Sequence, residues 1–294
     1  MDLKPALTYE QQILKLRNDH NLSISDDTFA EEILKKVNYY RLSGYGIGLK
    51  KVHNKEHYQD FVSIEHLFNL YCFDSQFKNN LMRTIEQIEV EFRTQIAYHL
   101  SMKYGPCALL QENHFICKTN KEGKTIYSIL HENLNKEIRR QKNKPFVKHH
   151  LRKYDGKFPV WVSVELMSFG NLSSLFSILK DEDQKSISNY YNTDPKYLKN
   201  WILCLVEVRN ICAHYTRLYN MPLRENPRLY SEHERYKGKQ NKIFPILLII
   251  KRILNSNDQW KSLLKDLENT FRKYNGYFNY RFMGFPDDWK KILS

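Results

Sequence analysis

The run from Ile64 to about Lys103 constrains the fold more than any other stretch of this sequence. Its apolar residues recur three and four positions apart with few interruptions, which is the spacing of one face of an α-helix. Ser63 stands directly before the run as a suitable N-terminal cap, and Gly105-Pro106 predicts where the helix ends. We therefore predict one long helix as the longest element of the fold.

Similar apolar spacing predicts further helices on both sides of this one. Their predicted ranges are Tyr9 to about Asp19, Thr28 to about Leu42, Thr125 to Gln141, Val160 to Phe169, Leu172 to Leu179, Asp183 to Tyr191, a run to Leu218 that opens at Asp194-Pro195, Lys242 to Leu254, and Asp258 to Tyr274. Thr8 and Ser25-Asp26 are suitable caps for the first two, and Gly170 is expected to end the helix that starts near Val160. The polar, basic stretch from Tyr219 to Gln240 predicts a surface loop. The pattern as a whole predicts an all-α protein.

The net charge of +13 and the 36 Tyr and Phe residues are unusual for a chain of 294 residues. A large positive field attracts nucleic acid or an anionic membrane, and aromatic side chains among basic ones can stack on unpaired bases. The densest positive segment runs from Lys136 to Lys157, which we interpret as an RNA-binding surface or, alternatively, as a solvated helix face and loop. The candidate RNA-binding residues are Lys136, Arg139, Arg140, Lys142, Lys144, Lys148, Arg152 and Lys153.

Several classes of protein are disfavoured by the sequence. The five Cys residues show no CxxC spacing, which argues against a zinc site or a disulfide framework and favours a reducing compartment. The first residues lack the apolar core of a signal peptide, and the longest apolar run, Ile243 to Ile250, is too short to span a bilayer. We therefore expect a cytoplasmic protein without a membrane segment, and we predict neither a metal nor a cofactor.

Arg209, Asn210 and His214 form the strongest candidate site, because only small or apolar residues otherwise separate the arginine from the histidine. In a regular helix, Arg209 and His214 would point about 140° apart, so two facing copies of the helix would bring them together better than one. Arg93 and His99, on the long helix, remain a rival pair.

Structural roles are the alternative for these residues. Arg93 would form an ion pair with Glu89 one helical turn away, and Arg209 would form one with Glu165 or Glu207 while His214 is hydrogen-bonded in the core. Glu165 is acidic within an apolar stretch, which suggests a buried carboxylate paired with Arg209 or Arg93.

Seven segments along almost the whole chain together carry a family resemblance: Lys4 to Thr8, Asn38 to Tyr45, Ile88 to Val90, Arg93 to His99, Trp161 to Gly170, Val208 to His214 and Met283 to Pro286. In this order they resemble the Abi-like proteins of bacterial abortive infection, of the AbiD/AbiF type. The resemblance implies an all-α, multi-helix HEPN-like bundle with N-terminal and C-terminal helical additions. On this basis we divide the chain into an N-terminal helical cap (residues 1–58), a HEPN-like core (59–220) and a C-terminal basic loop with helices (221–294).

The resemblance also implies an activity. Arg209, Asn210 and His214 match the ribonuclease signature of HEPN proteins, so the catalytic residues are expected to be these three, with Arg93, His99 and Glu165 as second contributors to the same cleft. A toxin-like, metal-independent endoribonuclease of phage defence is implied, which dimerises and is held silent by a small RNA or a protein partner. Thr216 occupies the position where HEPN toxins silenced by adenylylation have Tyr, so that route of regulation is not expected.

Cleavage of RNA without a metal requires a proton acceptor and a fixed positive charge, which His and Arg provide. Without a metal, the 2′-hydroxyl of RNA attacks the adjacent phosphorus, so a base such as His must accept its proton while a permanently charged Arg stabilises the phosphorane oxygens. Asn210 would orient His214 or hold a phosphate oxygen. The alternative function is a non-catalytic RNA-binding module that uses the basic surface to hold a structured RNA.

Overall fold

The structure is a computed structural model that describes residue 3, residues 5–236 and residues 241–294. Across these residues the chain forms thirteen α-helices, joined by short 3₁₀ and π segments, and no β-sheet, which confirms the predicted all-α fold. Lys4, in the first of the segments that resemble Abi-like proteins, lies outside the described residues. So do residues 237–240, the last part of the loop predicted from Tyr219 to Gln240.

The helices follow one another with short connections. They are α1 (Tyr9–Leu14), α2 (Asp27–Lys36), α3 (Tyr39–Gly44), α4 (Ile64–Tyr104), α5 (Ile126–Arg140), α6 (Pro145–Lys153), α7 (Val160–Ser163), α8 (Phe169–Ser177), α9 (Asp181–Tyr190), α10 (Pro195–Ala213), α11 (Ile243–Ile253), α12 (Asn257–Lys273) and α13 (Trp289–Leu293). A π-helical turn, Lys15–Asp19, extends α1, and 3₁₀ turns Val164–Leu166 and Ser231–Tyr236 stand out among the connections.

The 41-residue helix α4 is the central element, as predicted. The Ser63 hydroxyl accepts a hydrogen bond from the His66 N–H, and Gly105 ends the helix with a φ of +82° that suits glycine. Its apolar stripe is buried along its full length, and α10 and α12 pack against it. Burying that stripe favours the fold at about 25 cal/mol per Å² of apolar surface removed from water.

Two predicted helix boundaries are wrong because polar side chains start a new helix. Residues 28–42 are not one helix: Val37 is extended, and the Asn38 side chain caps α3 by accepting the Arg41 N–H at 2.8 Å. Gly170 does not end a helix either. The Ser168 side chain caps α8 by accepting the Asn171 N–H at 3.2 Å, so α8 begins at Phe169, one residue before Gly170. Local caps override periodicity at both places.

The apolar side chains form one large hydrophobic core and one smaller core. The smaller core joins α1, α2 and the start of α4, with Ile13, Leu34 and Leu67 among its members. The larger one unites the rest of α4 with the helices that follow it, and in it the Phe73 ring stacks on Phe278, in the connection after α12, with 4.1 Å between ring centroids. The division of the chain at residues 58 and 220 stays a prediction.

The polar stretch after α10 is not only a surface loop. Leu223 and Tyr236 are buried in the larger core, and the second of them ends a 3₁₀ turn. The apolar helix α11 is likewise covered by protein, which accounts for its composition. Within the described part of the chain, no helix combines the length and apolarity needed to cross a bilayer.

Candidate functional site

Arg209 lies near the end of α10 and reaches into a polar cleft. Pro195 occupies the first turn of this helix, and Leu205 and Val208 on its inner face are completely buried against α4 and α8. That packing fixes the rotation of the helix. The Arg209 side chain is left 30% exposed at the boundary between core and solvent.

The cleft has a volume of about 500 Å³ and is lined mostly by charged and amide side chains. They come from α4, α5, the 3₁₀ turn at Val164–Leu166, the start of α8, and α10. Its charged and amide members are Glu89, Arg93, Asn133, Lys136, Glu137, Arg140, Gln141, Glu165, Asn171 and Arg209. Charged groups gathered in a concave site are a common mark of function, because each costs free energy to desolvate.

A carboxylate between two guanidinium groups organises the floor of this cleft. Glu89 Oε1 accepts a hydrogen bond from Arg93 Nη2 at 2.9 Å, and Glu89 Oε2 lies 3.4 Å from Arg209 Nε. Arg93 Nη1 also donates to the Met167 carbonyl at 2.9 Å. The side chains of Glu89 and Arg93 are about nine-tenths buried, so their pairing is only weakly screened by solvent.

The predicted partners of Arg209 are therefore wrong. Glu165 is exposed rather than buried and makes no ion pair with Arg209 or Arg93, although it lines the same cleft. Glu207 accepts the backbone N–H groups of Arg224 and Glu225 instead. The predicted ion pair between Glu89 and Arg93 is present, and the same carboxylate also serves Arg209.

His214 and Asn210 are exposed and lie outside the lining of this cleft. The predicted helix to Leu218 stops at Ala213, and His214 is the residue that caps its C-terminal end. Tyr215 then adopts a left-handed φ of +56°, and the Thr216 N–H closes the helix by donating to the Ile211 carbonyl at 3.0 Å. Within the described residues, the His214 imidazole is exposed and makes no hydrogen bond in the core, contrary to the structural alternative.

A left-handed Tyr costs free energy that glycine would not, so the segment after His214 needs other support. The buried Asp74 supplies it: its carboxylate accepts the Tyr219 N–H at 2.7 Å, the Leu218 N–H at 3.2 Å, and the Tyr45 hydroxyl at 2.8 Å. Burial, and then Asp74, raise the pKa of the Tyr45 hydroxyl.

Two basic side chains complete this support. Lys78 pairs with Asp74 and donates to the Thr216 carbonyl at 2.9 Å, and Arg41 donates to the Tyr215 carbonyl at 2.5 Å. Sequence reasoning missed this arrangement. The available signal was a carboxylate, Asp74, in the apolar register of α4 with a lysine one turn later.

Arg93 and His99, the rival pair, belong to two different sites. Arg93 joins the cleft of Arg209, but His99 belongs to a separate cluster, where its Nε2 lies 2.7 Å from Asp183 Oδ1. The fully buried Asp183 carboxylate also accepts hydrogen bonds from Lys103 Nζ at 2.6 Å and the Tyr104 hydroxyl at 2.8 Å. His99 is thus held by a structural carboxylate that connects α4 to α9.

This cluster predicts a specific acid sensitivity. Burial alone would raise the pKa of the Asp183 carboxyl, but hydrogen bonds from Lys103, His99 and Tyr104 lower it below its ordinary value. A lowered folded-state pKa stabilises the fold above the unfolded pKa of about 3.9, and that stability is lost as the pH falls through the folded pKa. Replacing Asp183 by Asn should therefore flatten the acid side of the stability profile, in addition to a loss of about 1–3 kcal/mol at neutral pH.

Urea denaturation between pH 6 and pH 3 measures this effect. Asp181, exposed in the first turn of the same helix, provides the matched control Asp181→Asn. Equal pH dependence in the wild type and Asp183→Asn would contradict the assignment.

All eight predicted RNA-binding residues between Lys136 and Lys153 are exposed. They lie at the end of α5, on α6 and in the connection between the two helices. Lys136 and Arg140 stand on the rim of the Arg209 cleft, where Arg140 also forms a two-pronged ion pair with Glu137. The positive surface thus continues into the cleft. Within the described residues, no group of three or more His, Cys, Asp or Glu side chains is placed to hold a metal ion.

A comparison with protein-family models gives one match. The model described as Abi-like protein matches residues 32–220, which is more than half of the chain and includes α4, the cleft and the whole of α10. No curated protein and no solved structure matches the chain. Because the match covers more than half of the chain, including the central helix and the candidate site, this chain belongs to the Abi-like protein family.

Proposed function

We propose that this protein is an effector of anti-phage abortive infection that cleaves RNA without a metal, with Arg209, Asn210 and His214 as the catalytic residues. Membership of the Abi-like family supports a role in abortive infection. The observation that carries the catalytic part is the position of Arg209, a half-buried guanidinium in a cleft with a basic rim.

The charge balance of the cleft suits a phosphodiester. The lining holds four basic side chains, Arg93, Lys136, Arg140 and Arg209, and three acidic ones, Glu89, Glu137 and Glu165, so its formal charge is +1. Glu89 faces the Nε side of Arg209, while Nη2 makes no hydrogen bond within the described residues. That group is available for a phosphate oxygen, and the rim residues Lys136 and Arg140 would guide the RNA backbone to it.

The proposed reaction begins with proton transfer from the 2′-hydroxyl to the His214 imidazole. The 2′-oxygen then attacks the adjacent phosphorus, and Arg209 stabilises the negative charge that develops on the phosphorane oxygens. The bond between phosphorus and the 5′-oxygen then breaks, and the departing 5′-oxygen takes up a proton from solvent while the His214 imidazolium releases its own. The products are a 2′,3′-cyclic phosphate and a 5′-hydroxyl. Asn210, one turn before His214 and exposed on the same helix, would orient the imidazole or hold a phosphate oxygen.

The proposed active form is a dimer, because one copy of the chain does not bring Arg209 and His214 together. Arg209 and His214 are five residues apart, so their side chains diverge by about 140° and are displaced by about 7.5 Å along the helix. In one copy, Arg209 faces the cleft and His214 faces solvent at the helix end. In a two-fold symmetric dimer, His214 of one copy would meet Arg209 of the other. A small RNA or protein partner would silence this toxin-like dimer until infection.

Product analysis in EDTA tests the proposal. Purified protein is incubated with a defined mixture of single-stranded RNAs, and the ends of each fragment are identified by their reactivity with polynucleotide kinase and ligase. We expect fragments that carry a 2′,3′-cyclic phosphate and a 5′-hydroxyl, formed in EDTA as fast as in Mg²⁺.

Two other outcomes would contradict it. Fragments with a 5′-phosphate that form only with Mg²⁺ would require a different mechanism. Tight, salt-sensitive RNA binding without any cleavage, in cells under phage infection as well as in vitro, would favour the non-catalytic RNA-binding module, for which the exposed basic residues on α5 and α6 are the supporting observation.

A further inference from the structure

A second cleft, separate from the one that holds Arg209, opens between α6, α7 and the loop that follows α4. Its volume is about 700 Å³, within the range of sites that bind small organic groups. Aromatic and basic side chains line it together, chiefly Trp161, Tyr154, His149, Lys153 and Lys157. None of these residues has a part in the proposed cleavage chemistry.

Trp161 is presented to this cleft by the local backbone. Val160 and Ser163 are buried on the inner side of the short helix α7, and the Val160 N–H donates to the Pro106 carbonyl at 2.9 Å. Trp161 must therefore point outward, and it is 52% exposed. The three other Trp residues of the chain are at most 5% exposed, and within the described residues the Trp161 indole N–H donates no hydrogen bond. A large aromatic group left in water is a frequent mark of a binding surface.

Two lysines bring positive charge to this cleft. The Lys153 ammonium lies 5.4 Å from the ring centroid of Tyr154, and Lys157 is also part of the lining. Asp155 is the one acidic residue in the lining. His150 also lines the cleft, where its ring stacks on the buried Phe158 and its Nδ1 lies 2.9 Å from the Phe146 carbonyl. The cleft thus combines a well-packed imidazole, an exposed indole and positive charge, and aromatic rings beside positive charge bind unpaired bases and their phosphates.

We propose that this second cleft binds an unpaired nucleobase of the RNA substrate, with the base stacked on Trp161 and a flanking phosphate held by Lys153 and Lys157. The inference rests on the proposed function, in that it takes single-stranded RNA as the ligand. A base in a duplex is stacked on its neighbours and cannot reach the indole, so the cleft would select unpaired RNA.

The chain connects this second cleft directly to the catalytic one. Trp161 precedes Glu165, which lines the Arg209 cleft, by four residues through α7 and the following 3₁₀ turn. That separation is about one helical turn, or 6 Å along the axis. The two clefts are therefore neighbours along the chain, and in this proposal one RNA strand runs from Trp161 towards the cleft that Arg209 lines.

Tryptophan fluorescence tests the proposal without any cleavage, because Trp161 is the one exposed Trp. His214→Ala protein in EDTA is titrated with three probes: a single-stranded RNA decamer, the same decamer with abasic sites at alternate positions, and a fully paired duplex of equal charge. We expect the decamer to quench the emission and to shield it from acrylamide, the abasic probe to do so much less, and the duplex to have no effect. Trp161→Ala should bind the decamer about tenfold more weakly, and Trp161→Phe should retain most of the affinity.

Tyr98, exposed at 64% on α4, provides the control variant Tyr98→Ala, which should bind like the parent. Equal quenching by the intact and abasic probes would overturn the proposal, and so would acrylamide shielding of Trp161 in the free protein, because a second copy would then cover it. Binding and quenching without cleavage by wild-type protein would leave this inference standing and remove the proposed function. Cleavage by a wild-type protein whose Trp161 fluorescence does not respond to RNA would leave the proposed function standing and overturn this inference.

Discussion

Replacing His214 by alanine is expected to lower the rate of RNA cleavage by about 10²–10⁴-fold, which is the usual contribution of a general base. His214 is exposed at the end of α10, and its ring makes no hydrogen bond within the described residues. The substitution should therefore leave the thermal unfolding midpoint within the small range that is usual for surface changes. Single-turnover cleavage of a labelled RNA measures the rate, and differential scanning calorimetry measures the midpoint.

His53→Ala is the matched control, because His53 is also exposed but lies in the connection between α3 and α4. It should cleave RNA at the wild-type rate. A His214→Ala protein that cleaves as fast as the His53→Ala control would remove His214 from the mechanism, whatever its effect on stability.

Replacing Glu89 by alanine is expected to lower the free energy of unfolding by about 3–5 kcal/mol, the usual cost of leaving a buried charge without its partner. Arg93 is only 8% exposed and would keep one hydrogen bond, to the Met167 carbonyl, but lose its counter-ion. Arg209 would also lose the carboxylate beside its Nε. We therefore expect cleavage to fall even at temperatures where the variant is fully folded. Urea denaturation followed by circular dichroism gives the free energy.

Glu86→Ala provides the control for this substitution. Glu86 is one turn earlier on α4, exposed, and outside the ion pairs of the cleft, so its loss should change stability by less than about 0.5 kcal/mol. A Glu89→Ala protein as stable as Glu86→Ala would show that the two arginines need no buried counter-ion. The cleft geometry described above would then be untenable.

Much of the fold could be predicted because its longest elements are repetitive and well capped. The apolar stripe of α4 extends over the whole helix, and Ser63 and Gly105 mark its ends. Two of the predicted helix boundaries were wrong because a single polar side chain decided the structure there. Asn38 and Ser168 each accept a backbone N–H and start a new helix inside a stretch that periodicity alone read as continuous.

The candidate site shows the same limit at longer range. As the structural alternative to catalysis, Arg209 was predicted to form an ion pair with Glu165 or Glu207. The partner is Glu89, on a helix that only the tertiary fold brings to α10. Pairing across helices depends on the rotation of each helix about its axis, which is set by the packing of residues such as Leu205 and Val208. Periodicity predicts which face of a helix is apolar, but it does not predict which residue of another helix will contact a given side chain.

In the proposed dimer, an arginine from one copy and a histidine from the other act on one phosphodiester. Arg209→Ala and His214→Ala proteins, each inactive alone, should therefore regain activity when they are mixed under conditions that allow the subunits to exchange. In a two-fold symmetric dimer with two shared sites, random exchange restores about a quarter of the wild-type activity, because half of the dimers are mixed and each holds one intact site. A mixture that stays as inactive as its two parents, although mass spectrometry shows mixed dimers, would contradict the shared site.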